Sequence, residues 1–384
     1  MSHYFDANAT TPLLPEARAA WLEAMDEHWQ NPSSPSRASA RVHAKLEGAR
    51  ASIADLFQVP RESLVFNSGA TEGNRDVLAY MRKVSPRKRL AMSAVEHPSI
   101  LENARAIWGE DACELPVDGN GVIRIDALER GLAKGDIALV SLMAANNETG
   151  VIQPWPEVIE ICRRQRVALH IDATQWVGKE PLDGLSRADF ITASGHKFGG
   201  PKGVGIVIAA SSFSGFQGQR GGGQEHDHRA GTENYPGVAS MLAALQASYT
   251  SLEAARVRVR GSRDAFEVAL LAKEPEVKIW SSGAPRLVNT FSLCLPIGDN
   301  LRFVRRLDQR GFQVSTGSAC ATGKAGPSHV LGAMGVAEEF ARRTVRISSL
   351  MNEKAETWAA LAHASLSAIE EIRNEGTNPQ VISI

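Results

Sequence analysis

Apolar positions recur along this chain with two distinct periods. Between Ala38 and Phe57, Val42, Leu46, Ala49, Ile53 and Leu56 return at three- and four-residue steps, the mark of an amphipathic helix. The same period from Pro15 to Trp29 predicts a helix with Ala19, Leu22, Met25 and Trp29 on its apolar face. Short apolar runs bounded by polar or glycine-containing turns stand between the helical stretches: Leu64-Val65-Phe66, Arg89–Ser93, Ile137–Met143, Ala168–Ile171, Phe190-Ile191 and residues 204–209. Such runs are expected of strands buried on both faces. Residues 155–166 read as a helix, Cys113 to Gly135 as a hairpin followed by a helix, and Asn234 to about Lys273 as one long helix that bridges two domains. This alternation of strand and helix is the order of a mostly parallel sheet. The expected fold is therefore α/β, with a large domain near residues 15–255 and a smaller α+β domain formed by residues 256–384 and an N-terminal arm, residues 1–14.

The chain has 384 residues, 43% of them hydrophobic and 22% charged, enough for two packed domains. Its formal net charge of −1 gives no electrostatic reason to expect nucleic acid or an anionic membrane as a partner. The first residues lack the basic start and apolar core of a signal peptide, and no apolar run approaches the ~20 residues of a membrane helix, so the expected location is the cytoplasm. The four cysteines, Cys113, Cys162, Cys294 and Cys320, are widely spaced and read as reduced thiols.

Candidate chemistry gathers where predicted strands end. Ser194-Gly195-His196-Lys197-Phe198-Gly199-Gly200 places a lysine in a glycine-rich loop between two buried strands, where backbone can approach something large and flat. A lone motif of this kind is most often a solvated turn. Upstream, His170-Ile171-Asp172-Ala173-Thr174-Gln175 ends a strand in an acid, and Ser68-Gly69-Ala70-Thr71 opens a helix with Ser68 as the expected cap. A lysine for a Schiff base, an acid for a ring nitrogen and a helix N-terminus for a phosphate are the three fixings that pyridoxal phosphate needs. His97, before Pro98, is expected in extended backbone at another strand's carboxyl end. Cys320 lies among Gly, Ser, Thr, Ala and Lys, a setting too polar for a core, whereas the other three cysteines sit in ordinary apolar surroundings. His226-Asp227-His228 invites a metal reading, but near-adjacent ligands on one loop lack the separated support of a stable site, and no metal is expected.

In their order, these motifs resemble the pyridoxal-phosphate-dependent cysteine desulfurases of the class V aminotransferase group, from Tyr4-Phe5-Asp6-Ala7-Asn8 to Arg343-Thr344-Val345-Arg346-Ile347-Ser348. The resemblance implies the aspartate-aminotransferase-like fold, fold type I, and pyridoxal 5′-phosphate as cofactor. It assigns the covalent lysine to Lys197 and the residue that stacks on the ring and moves protons to His97. Asn147 matches the asparagine that reaches the ring hydroxyl and the substrate, Asp172 the partner of the ring nitrogen and Gln175 the contact of the ring oxygen. Ala70, Thr71, Ser194 and His196 fall among the cofactor contacts. Thr232 matches a threonine that touches the phosphate of the other subunit, which implies a homodimer. Asn31 and Arg346 match substrate-binding residues, Arg346 holding the carboxylate. Cys320, in Thr316-Gly317-Ser318-Ala319-Cys320, matches the persulfide-bearing cysteine. The chain departs from the family pattern at Ser36-Arg37, at Asn74-Arg75 and at Gln224.

The activity so implied is conversion of L-cysteine to L-alanine, the sulfur passing to Cys320 and then to an acceptor protein such as an iron–sulfur scaffold. A selenocysteine lyase, another C–S lyase or an aminotransferase of the same fold shares the cofactor residues, and a non-catalytic scaffold has no need of Lys197, Asp172 and Cys320 together.

Overall fold

In this computed structural model, residues 2–317 and 328–377 are described. The chain opens with a two-residue strand β1 (His3–Tyr4), followed by helices α1 (Pro15–Glu27) and α2 (Arg37–Phe57). It continues through β2 (Leu64–Asn67), α3 (Ala70–Val84), β3 (Arg89–Ser93), α4 (Pro98–Trp108), β4 (Ala112–Leu115), α5 (Ile125–Leu132), β5 (Ile137–Met143), α6 (Trp155–Gln165), β6 (Ala168–Asp172), β7 (Phe190–Ser194) and β8 (Gly205–Ala209). These strands form a seven-stranded sheet in the order β2-β8-β7-β6-β5-β3-β4. All run the same way except β8, which is antiparallel to both of its neighbours. Successive strand residues point to opposite faces. Thus Val140, Ile191, Ile206 and Ile208 join the core under α1, α2 and α6, while Leu139, Phe190 and Val207 join the core under α3 and α4.

Three sequence expectations need correction here. Segment 112–115 is no arm of a hairpin: β4 joins the sheet edge in parallel with β3, because α4 carries the chain back across the sheet, and only the Val117–Ile123 bridge retains a hairpin. The predicted long helix is two, α7 (Tyr235–Thr250) and α8 (Leu252–Lys273), separated at Ser251 (φ −123°, ψ 15°). Ser248 and Thr250 hydroxyls bond back to the carbonyls of Ala244 and Gln246, a competition that weakens helix ends. In α1 the buried positions are Ala17 and Ala24, which let α7 approach closely, with Ser240 Oγ donating to the Ala17 carbonyl at 2.7 Å. The apolar row predicted to face inward instead faces out, Leu22 being 44% exposed, Met25 49% and Trp29 68%.

After α8 come β9 (Lys278–Trp280), β10 (Thr290–Cys294), α9 (Asn300–Gln309), β11 (Phe312–Gln313), α10 (His329–Ala333), α11 (Glu338–Ala341), β12 (Thr344–Ser348) and α12 (Ala355–Thr377). β12, β10 and β9 form an antiparallel sheet whose core contains Phe266 of α8, Phe291, Phe303 and Trp358. Phe5 of the arm is buried in this second core. The arm pairs through β1 with β11, exchanges backbone bonds with Ser348 and then crosses to the lysine loop, where Thr11 N donates to the His196 carbonyl at 2.9 Å.

A buried ion pair fastens the glycine-rich loop before α7 to the sheet. Arg50 of α2 meets Glu225 through Nη1–Oε2 at 2.7 Å and Nη2–Oε1 at 2.9 Å. Glu225 Oε2 also accepts from Phe66 N, and Arg50 Nη1 donates to the Leu64 carbonyl. Arg50→Ala would leave the Glu225 carboxylate buried without its cation. We expect it to lower stability by about 3–5 kcal/mol, read as a fall in the thermal melting midpoint, whereas a change within experimental error would show that the pair contributes nothing.

Candidate active site

The carboxyl ends of the parallel strands all lie along one edge of the main sheet, which is where ligands gather in open α/β folds. β2 leads there to the α3 N-terminus, β3 to His97, β5 to Asn146-Asn147, β6 to Asp172 and β7 to Ser194 and Lys197. Sequence-distant residues converge for that reason.

At the α3 terminus, Gly69 (φ 141°) is the N-cap, not Ser68. The Ser68 hydroxyl donates to the carboxylate of Glu72 in the first turn, which Arg229 of the glycine-rich loop also holds (Nε–Oε1 2.8 Å), and it caps no backbone N–H. Glycine is required here, since a Cβ on Gly69 would lie 2.9 Å from Ser194 Oγ, and one on Gly205 would lie 2.6 Å from Gly69 Cα. The Ala70 N–H donates to Ser194 Oγ at 3.2 Å, which joins the helix terminus to the strand that precedes the lysine. Thr71 is exposed in the first turn of this terminus, and the N-terminal end of a helix favours negative charge.

Asp172 is buried and accepts from the Thr174 N–H and from Asn74 Nδ2, both at 2.9 Å. Asn74, singled out in the sequence only as a departure, is thus the acid's side-chain support. Its Nδ2 also reaches Ser99 Oγ at 2.9 Å, and Thr192 Oγ1 donates to its Oδ1 at 2.6 Å. Ser99 in turn lies 2.9 Å from His97 Nδ1, which also accepts the Ser99 N–H at 3.1 Å. Burial pushes the His97 imidazole below its ordinary value, opposed by Asp172 and reinforced by Lys197 and His329. With Nδ1 accepting, the neutral ring carries its proton on Nε2. His170, behind Asp172, is lowered to about 4 by burial, against the pull of Asp172, and bridges Ser141 and Thr192. Burial, with Asp172 adding to it, likewise pushes Glu96 well above the usual carboxylate range.

Lys197 Nζ donates to the carbonyls of Asn8 (2.7 Å) and Ala9 (2.9 Å). Asn8 is a hub that sequence reasoning missed. Its carbonyl also accepts from Gln175 Nε2 at 3.0 Å, and its Nδ2 donates to the Asn147 carbonyl and to Thr290 Oγ1. His196 lies beside the lysine with Nδ1 3.0 Å from Thr10 Oγ1, its pKa lowered to about 4 by burial and by Lys197 and Lys202. Arg346, buried on β12, pairs with Asp6 (Nη2–Oδ1 2.5 Å) and donates Nη1 to the carbonyls of Asn147 and Gly317. A second lysine, Lys179, is buried next to this group and donates to Asn8 Oδ1 and Gln175 Oε1. The sequence gives no hint of it, since a lysine before Glu-Pro reads as exposed.

The structure therefore brings together Ala70, Ser194, His97, Asp172, Gln175, Lys197, Asn147 and Arg346 along the strand ends and the arm. Asn31 lies in an exposed turn, its Oδ1 accepting from Ser33 N, and Thr232 is exposed; among the described residues no hydrogen bond joins either to the lysine group. Cys320 lies outside the described residues. Of the other thiols, Cys162 is pushed up to about 12 by burial, and burial also raises Cys113 and Cys294, so none of the three is an activated nucleophile.

Comparison with known proteins bears on what such a site does. The class-V aminotransferase family matches residues 3–361. A cysteine desulfurase of Cereibacter sphaeroides is 37% identical over 355 residues, covering 90% of each chain. The solved structure of a NifS-like protein from Rickettsia africae ESF-5 superposes with a TM-score of 0.86 at 30% identity, covering 97% of this chain and 100% of that one. A structure of SspA in complex with cysteine gives 0.78 at 26% identity, over 91% and 99% of the two chains.

Proposed function

This chain belongs to the class-V aminotransferase family and is a cysteine desulfurase, and on that premise we propose that Lys197 carries pyridoxal 5′-phosphate while Cys320 takes the sulfur of L-cysteine as a persulfide. The residues fit the cofactor by the chemistry of their donor set: an amine in a glycine-rich loop, a helix N-terminus with Ser194 for the phosphate, a buried carboxylate for the ring nitrogen and a neutral imidazole for the ring face. When bound, the cofactor supplies an aldehyde carbon that bonds an amine and a protonated ring that accepts electron density from the substrate α-carbon.

The roles of the protein groups follow. Asp172, held by Asn74 and the Thr174 N–H, would be the partner of the ring nitrogen. Lys197 Nζ, beside the Asn8 carbonyl, would serve as the base that moves the substrate α-proton. Neutral His97 is poised to exchange a proton at Nε2. Arg346 keeps Nη2 on Asp6, while its Nη1 rests on two carbonyl oxygens, partners that a substrate carboxylate outcompetes. The Cys320 thiolate attacks the substrate sulfur: an S–S bond forms, the C–S bond breaks, and its electron pair stays with carbon, which is protonated to give L-alanine. An acceptor protein then takes the persulfide sulfur, an iron–sulfur scaffold being one such class.

A homodimer completes the reading. It is supported by the outward apolar row of Leu22, Met25 and Trp29 and by the exposure of Asn31 and Thr232, which in a dimer would serve the neighbouring site.

The observation that carries the reading is the meeting of Lys197, Gln175 and Asn147 on the single residue Asn8, with Asp172 and His97 joined through Asn74 and Ser99. The test is an absorption spectrum of the purified protein followed by an assay of sulfide and alanine from L-cysteine with a reductant. We expect a visible cofactor band and equimolar products. A band with no sulfide would overturn the desulfurase assignment while keeping the cofactor site; faster turnover of selenocysteine would redirect the substrate.

A further inference from the structure

Lys179 is used by no step described above, yet it is 2% exposed and lies within the reaction site. Its Nζ donates to Gln175 Oε1 at 2.5 Å and to Asn8 Oδ1 at 2.8 Å. Neither partner is charged. The adjacent Glu180 is engaged by Arg256, with Nη2–Oε2 at 2.6 Å.

A lysine amine in this setting can only donate, whereas a carboxamide can turn either its oxygen or its nitrogen to a neighbour. The oxygens of both Gln175 and Asn8 must therefore face Lys179, which dictates where their nitrogens go. Asn8 Nδ2 is sent to Thr290 Oγ1 and the Asn147 carbonyl, and Gln175 Nε2 to the Asn8 carbonyl, on which Lys197 also rests. One N–H of Gln175 is so engaged, and the second remains to donate.

We propose that Lys179 is a positioning residue that sets the orientation of the Gln175 and Asn8 carboxamides, so that Gln175 presents a donor N–H to the cofactor ring oxygen. This rests on the cofactor reading of Lys197 and Gln175. Two further facts agree with it. Gln175 and Lys179 are four residues apart in one hydrogen-bonded turn, in which the Lys179 and Glu180 N–H groups both bond the Trp176 carbonyl and Gly178 takes a positive φ of 77°, so the contact is built into the local backbone. Burial pushes the Lys179 amine well below its usual value, with Lys197 and Arg346 adding to the shift and Glu180 opposing it.

The test uses the holoenzyme. Lys179→Met keeps the volume and removes both donors. A ring oxygen that loses a donor holds its proton more tightly, so the pH midpoint of the visible band should rise by roughly half a unit to one unit. The cofactor dissociation constant, measured by fluorescence titration of cofactor-free protein, should weaken by about tenfold. Both changes should vanish when Lys179→Met is added to a Gln175→Leu background, because a positioning residue has nothing left to position. Equal shifts in the two backgrounds, or an unmoved midpoint in Lys179→Met, would overturn the proposal. If Lys179→Met does not fold, Lys179→Gln, which keeps one amide donor, should show the wild-type midpoint, and a displaced midpoint there would overturn it. Absence of any visible band in the wild-type protein would instead mean that the cofactor reading itself has failed.

Discussion

Replacing Lys197 by alanine will abolish the visible cofactor band and reduce alanine formation from L-cysteine by about 10⁴-fold or more, since it removes both the covalent anchor and the base at the α-carbon. The structural cost is separable. Lys197 donates to the carbonyls of Asn8 and Ala9; Asn8 keeps its bond from Gln175, while the Ala9 carbonyl loses the lysine. An unmade bond of this kind costs about 1–3 kcal/mol, so the variant should still fold, with a melting midpoint a few degrees lower. A band that survives in Lys197→Ala would refute the assignment. Lys179, the neighbouring buried amine, would then be the next residue to replace.

Cys320→Ala should behave in the opposite way. The cofactor band should remain, and addition of L-cysteine should still change the spectrum, because the residues proposed to bind cofactor and substrate are elsewhere. Sulfide release should fall by a factor on the order of 10³ or more, the scale expected when a nucleophile is removed from an otherwise intact site. No other described thiol can substitute, because burial raises the pKa of Cys113, Cys162 and Cys294 and they lie among apolar residues or beside backbone carbonyls. Undiminished sulfide release from Cys320→Ala would show that no enzyme persulfide forms at that residue and would favour simple C–S lysis.

The fold was legible wherever local periodicity and burial agree. Ile137–Met143 reads as a strand buried on both faces and is β5, with all seven residues buried. The α2 stripe of Val42, Leu46, Ala49 and Ile53 reads correctly because one helix face meets one core. The α1 stripe reads wrongly for a reason of the same kind: its small residues, and not its large ones, permit close packing on α7, so Leu22, Met25 and Trp29 are left outside. The parallel pairing of β4 was hidden because register and direction depend on the α4 crossover and not on the strand's own residues.

By itself, the sequence determined the residues that can do chemistry and their places at strand ends: Lys197, Asp172, His97 and Asn147 each follow an apolar run that reads as a buried strand. Its motif order also determined the family resemblance. Only the tertiary structure decided how those groups are supported. Asn8 joins the arm to Lys197, Gln175 and Asn147; Asn74 and Ser99 join Asp172 to His97; Lys179 holds two carboxamides; and Arg50 fixes Glu225 beneath the glycine-rich loop. The physical reason is that a buried polar group must find a partner, and the partner is whichever donor or acceptor the packed chain brings within about 3 Å, whatever its distance in sequence.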